Sequence, residues 1–123
     1  MLAVLSALAA TEAAQAQDAA VVQPRAYRVV LENARVRVLE FNSKPGMAVC
    51  GIGMHSHPAH LTIPLTASKA RAKLPDGTVR TGARQPGEVF WSEAETHEVE
   101  NISDKDMRLL IVEIKPAPSC SKA

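Results

Sequence analysis

His55, His57 and His60 fall within six positions of a 123-residue chain that holds one further histidine, His97. Imidazole is neutral near pH 7 and is the commonest side-chain ligand of first-row metal ions, so a cluster of this kind is read as a metal site. His55 and His57 are two residues apart, which on a strand sends both rings from one face toward a common point. Pro58 then removes a backbone donor, and a bulge there could return His60 to the same face. A single His-x-His pair would be an ordinary surface feature. Here the cluster draws in every histidine of the chain, with His97 on a second strand far along it. A closed sheet must bring that strand opposite the first three rings.

The flanking sequence supplies such a sheet. From Tyr27 onward no helical periodicity lasts beyond a turn, whereas short β-rich runs recur at 27–32, 35–42, 49–57, 60–66, 69–74, 77–82, 88–92, 96–102 and 107–115. Turn chemistry separates them at Pro45-Gly46, Pro75-Asp76-Gly77, Pro86-Gly87 and Ser103-Asp104-Lys105. Asp76 and Gly77 are expected to supply the left-handed positions of a tight hairpin. So many short strands in a small domain predict an all-β sandwich or barrel, where closure removes sheet edges. In the last run Leu110, Val112 and Ile114 line one face and Leu109 and Ile111 the other, so the strand is expected to be covered on both sides.

The length fits one domain. With 46% hydrophobic but 3% aromatic residues, its core must be built mainly from Val, Leu, Ile and Ala. Fourteen Lys and Arg against thirteen Asp and Glu give a net charge of +1 without blocks, which excludes a nucleic-acid footprint. Residues 1–16 read as a secretory signal peptide. An apolar run from Leu2 to Ala10 precedes the small-x-small triplet Ala14-Gln15-Ala16, although the basic n-region is missing. That run is too short to span a membrane, so a periplasmic or secreted protein free of the membrane is expected. The remaining organisation reads as an N-terminal extension at 17–26, a barrel at 27–115 and a flexible tail at 116–123. Cys50 and Cys120 suit an exported protein, and the sequence leaves open whether they pair.

These residues resemble the cupin superfamily. Its first motif runs Gly, His-x-His, then Glu and Gly at set intervals, and its second runs Gly, about ten residues, His, three residues, Asn. His55-Ser56-His57 matches the first pair, while Gly87, His97 and Asn101 match the second with the His-x3-Asn spacing intact. The resemblance covers roughly residues 27–115 and is strongest to small single-domain cupins with a conserved barrel. It implies a single-domain jelly-roll β-barrel, a divalent metal held by three histidines and usually a glutamate, and frequently a homodimer. The chain departs from that pattern in three places. His60 falls where the family has its glutamate, Ala67 replaces the closing glycine, and Glu93-Ala94-Glu95 replaces the usual Pro-x-Gly.

The candidate ligand set is therefore His55, His57, His60 and His97. Four neutral imidazoles would leave the ion's full double charge in the cavity and favour anionic or enolisable substrates. Imidazole suits iron, zinc and nickel, and the missing carboxylate argues against manganese. If His60 points inward, Thr62, Pro64 and Thr66 do too, and Leu61, Ile63 and Leu65 then need cover from a second copy. With the opposite parity His60 would face solvent and three ligands would remain. Glu95, Glu98 and Glu100 are read as solvated strand-face charges, the alternative being acceptors that orient an imidazole. Phe90 and Trp91 are read as core, the alternative being that one of them walls the cavity, and Asn101 as closing a turn. The expected function is a metal-dependent enzyme of dioxygenase, isomerase or lyase type acting on a small organic acid or dicarbonyl compound. The alternative is a non-catalytic module that binds a small molecule or metal.

Overall fold

The computed structural model describes residues 18–46 and 53–117. Among them are a short helix, α1 (Ala19–Val22), and the strands β1 (Tyr27–Glu32), β2 (Val36–Ser43), β3 (His55–His57), β4 (His60–Pro64), β5 (Ser68–Lys73), β6 (Val79–Arg84), β7 (Phe90–Ser92), β8 (Glu95–Asn101) and β9 (Met107–Ile114). All strand pairs are antiparallel. They form a five-stranded sheet in the order β1-β2-β9-β4-β7 and a four-stranded sheet in the order β3-β8-β5-β6. This is the all-β jelly-roll arrangement expected from the sequence. The leader, Cys50, Cys120 and residues 118–123 lie outside the described residues.

Alternation decides which side chains enter the space between the sheets. On β2 the inward residues are Leu39, Phe41 and Ser43, and on β9 they are Met107, Ile111 and Glu113. Leu39, Phe41, Met107 and Ile111 form the apolar core with Tyr27, Ala26 and Ala19. Each large side chain so buried stabilises the fold by roughly 1.5–3 kcal/mol. Ala19 and Ala26 belong to the segment read as an N-terminal extension, and they are 0% and 3% exposed. Asp18 caps α1 by accepting from the Ala20 amide at 3.0 Å, and it bridges to Ser56 beside β3. The other half of the interior is polar, with His55, His57, His60, Thr62, His97 and Glu113 all buried.

Two local expectations are corrected. The hairpin between β5 and β6 has one left-handed residue, Gly77 at φ 89°, and Asp76 keeps a negative φ. Pro75 and Asp76 instead form the turn, closed by Gly77 N–H to Leu74 C=O at 2.9 Å, and the glycine follows as a bulge. β6 also runs two residues beyond the expected end, to Arg84, and β7 is confined to Phe90–Ser92.

On the outer face of the five-stranded sheet, register aligns Leu31, Val38, Val112, Leu61 and Trp91 in one apolar row. Leu31 is 51% exposed and Trp91 49%.

Candidate metal centre

β3 and β8 are neighbours, and their register sets His55 directly beside His97, with His57 two residues further along β3. His97 thus reaches the cluster from the adjacent strand rather than from across the barrel. His60 arrives differently from the expected bulge. Pro58 and Ala59 carry the chain out of the four-stranded sheet and into the five-stranded one, where β4 lies between β9 and β7. His60, Thr62 and Pro64 face inward there, and Leu61 and Ile63 are half-buried on the outer side. One ring nitrogen from each of His55, His57 and His97 lies within 4.8 Å of the others. His60 stands beside this triad, its ring centroid 5.1 Å from that of His57.

All four rings are anchored through Nδ1. That atom of His55 meets Gly53 C=O at 2.9 Å, and that of His60 meets Pro58 C=O at 2.7 Å. His57 Nδ1 lies 2.8 Å from Glu113 Oε2, and His97 Nδ1 lies 2.6 Å from Glu95 Oε1. Carbonyl and ionised carboxylate oxygens can only accept, so each Nδ1 carries the proton and each Nε2 keeps its lone pair. The lone pair on His57 Nε2 is buried and has no partner among the described residues. An unsatisfied buried acceptor costs about 1–3 kcal/mol, and a cation would satisfy it. His55 Nε2 accepts a hydrogen bond from the Tyr27 hydroxyl at 2.8 Å, so a ligand reaching that nitrogen has to displace the phenol.

Charge is arranged behind the rings. Glu113, 2% exposed, accepts from His57 on one oxygen and from Arg37 Nε at 2.8 Å on the other. Arg37 reaches on to Asp18 at 2.8 Å, so the N-terminal segment is tied to His57 through two side chains. Glu95 joins His97 to Arg80, and those hydrogen bonds hold its carboxyl below the ordinary value against burial, which pushes it up. Burial, opposed by the Gly53 hydrogen bond, brings His55 down to about 3. Burial brings His97 down to about 4, with the hydrogen bond to Glu95 working the other way. His60 is also lowered by burial. Burial and the nearby Glu113 push the Tyr27 hydroxyl up, so it remains a neutral donor. Neutral imidazoles with inward lone pairs are the donor set a divalent ion of the iron, nickel or zinc kind prefers, and the residues fit such an ion.

A cavity of about 350 Å³ opens from His57, His60 and His97 between the sheets. Phe90 and Trp91 both contribute to its lining, the alternative to core packing, and Trp91 is 49% exposed. Asn101 closes the turn before β9, donating to Ser43 and Lys105 carbonyls and accepting from Ser103. Glu95 corrects the reading of solvated charges, whereas Glu100 pairs outward with Arg71. Sequence reasoning missed Glu113, Arg37, Asp18 and Tyr27. Of these only Glu113 left a signal, a carboxylate sharing the alternate face of Met107, Leu109 and Ile111.

No family model and no curated protein matches the chain. Among solved structures it is similar to a cupin domain of Bordetella pertussis Tohama I, with 29% identity, 73% of this chain and 92% of that chain covered, and a TM-score of 0.64. It is similar in fold to a cupin superfamily protein of Desulfitobacterium hafniense, at 14% identity over 73% of this chain and 76% of that one, TM-score 0.52. A further fold neighbour is the polyketide cyclase RemF of Streptomyces resistomycificus, at 24% identity over 75% and 66%, TM-score 0.50. Taken with the two-sheet topology, the likeness to the Bordetella domain at 29% identity over 73% of this chain supports membership of the cupin superfamily, while the other two show the fold.

Proposed function

We propose that the protein is an exported, metal-dependent cupin enzyme of dioxygenase, isomerase or lyase type that acts on a small organic acid or dicarbonyl compound. The observation that carries this reading is the buried Nε2 of His57, without a partner among the described residues and set among three more imidazoles whose Nδ1 atoms are all engaged. His55, His57 and His97 would hold the ion, and His60 stands where a fourth donor is needed. Such an ion, when bound, polarises a chelated oxygen as a Lewis acid. The chain itself does the rest. Glu113 and Glu95 keep the Nδ1 protons in place and fix the ring planes, and the apolar core excludes water from one side. Tyr27 holds a proton on its hydroxyl inside the site, next to His55. Export is proposed on the leader sequence alone.

A non-catalytic binding module is the second reading, and His60 favours it, because four protein ligands close a tetrahedral site while a catalytic one keeps a position open. Elemental analysis of the purified protein tests the first step. About one ion per chain is expected, lost in His57→Ala while the β-type circular dichroism persists. Metal content unchanged by that substitution would refute the site.

A further inference from the structure

β6 is the edge strand of the four-stranded sheet and, exposed along its whole length, forms the open rim of the cavity. Arg80, Gly82 and Arg84 alternate along it and all line the cavity. Their cross-strand neighbours on β5 are small, Ala72 beside Arg80, Ala70 beside Gly82 and Ser68 beside Arg84. A Cβ added at Gly82 would meet nothing within 4 Å. The strand therefore leaves open space and points two guanidinium groups along it. Their situations differ. Arg80 is committed to Glu95, which in turn holds His97. Arg84 has no carboxylate partner among the described residues, and its guanidinium lies over the Phe90 ring at 4.5 Å.

An exposed guanidinium at the mouth of a cavity is a ready partner for a carboxylate, which it can meet with two parallel hydrogen bonds. The stacking on Phe90 orients the group without using its hydrogen-bond donors, which stay available to a ligand entering the cavity. Phe90 pairs with Thr62 on β4, and His60 lies two residues further along that strand, a rise of about 7 Å. Arg84 and the histidines thus stand at separate ends of one cavity, with Phe90, Leu109, Ile111 and Val99 among the residues between them.

The geometry points to Arg84 as the residue that selects the substrate, by holding the carboxylate of an elongated organic acid whose other end reaches the histidines across an apolar stretch of several carbons. This rests on the metal reading above for the identity of the second end, and it narrows the substrate class from any small acid to one long enough to span both groups.

Calorimetric titration of zinc-loaded protein with adipate and malonate tests it, with zinc content measured before and after. Adipate is expected to bind wild-type protein and to weaken about ten- to a hundredfold in Arg84→Gln with zinc content unchanged. Malonate, too short to span the cavity, is expected to respond equally in both proteins, and neutral adipamide to bind neither. Equal adipate affinity in wild type and Arg84→Gln, or no adipate binding to zinc-loaded wild type, overturns the assignment while leaving the metal reading intact. Should zinc fail to bind at all, the metal reading falls, and titration of the zinc-free protein then decides the arginine separately. Adipate binding lost in Arg84→Gln upholds it, and binding that is absent or insensitive to the substitution overturns it.

Discussion

Glu113 connects the candidate ligand His57 to the half-buried charge of Arg37, one oxygen serving each. Glu113→Gln keeps the volume but weakens the acceptor that raises the basicity of His57. Metal affinity is expected to fall about 10- to 100-fold with the far-ultraviolet dichroism unchanged, read by competition with a chromophoric chelator. Glu113→Ala should act on folding as well. Removing one member of a buried pair costs about 3–5 kcal/mol, though Asp18 retains part of the charge balance on Arg37. Acid also acts through these rings. Folded His55 and His97 titrate at about 3 and about 4, against 6.5 for the ordinary group. Below 6.5 the unfolded chain therefore takes up protons that the folded one refuses, so stability is full above that value and is lost as pH falls through the folded ones. Metal-free protein should show a lower urea midpoint at pH 5 than at pH 7.5, and a flat profile would contradict the depressed values. The histidines were legible because their number and spacing are unusual. Tyr27 and Arg37 were not, because nothing in a strand sequence says which distant side chain its neighbours will touch.

The strands themselves were readable from β-rich runs and from Pro and Gly between them, since those residues set the backbone wherever they stand. What the runs could not reveal was destination. Pro58 marks a break after His57, but a break is equally a bulge or a change of sheet, and only the pairing of β4 with β9 and β7 decides between them. The β5–β6 hairpin shows a second limit. Its Pro-Asp-Gly sequence fits both a two-residue and a three-residue loop, and the bond from Gly77 to Leu74 selects the longer. At φ 89° Gly77 tolerates no Cβ without strain. Gly77→Ala is expected to cost about 1 kcal/mol and to lower the melting temperature by roughly 4–8 °C, leaving metal content untouched.

For the molecule as a whole, a ligand that binds only the folded state adds to its stability. Chelation should therefore lower the melting temperature, because it removes a stabilisation that grows with metal concentration and reaches about 4 kcal/mol at a thousand times the dissociation constant. The apolar row across the five-stranded sheet bears on assembly. Arg28 and Arg108 at its border share Glu40, which offsets one of their two positive charges and leaves the row itself uncharged. Sedimentation is expected to show a dimer, with Leu31→Asp plus Trp91→Asp shifting it to monomer. The docking of residues 18–26 has a practical corollary for gene design. A fragment begun at Tyr27, where strand patterning first becomes visible, would discard two plugs of the hydrophobic interior and strip Arg37 of one of its two carboxylates. Such a product is expected to express as an aggregating, leaky shell, whereas one begun ahead of Asp18 should remain soluble.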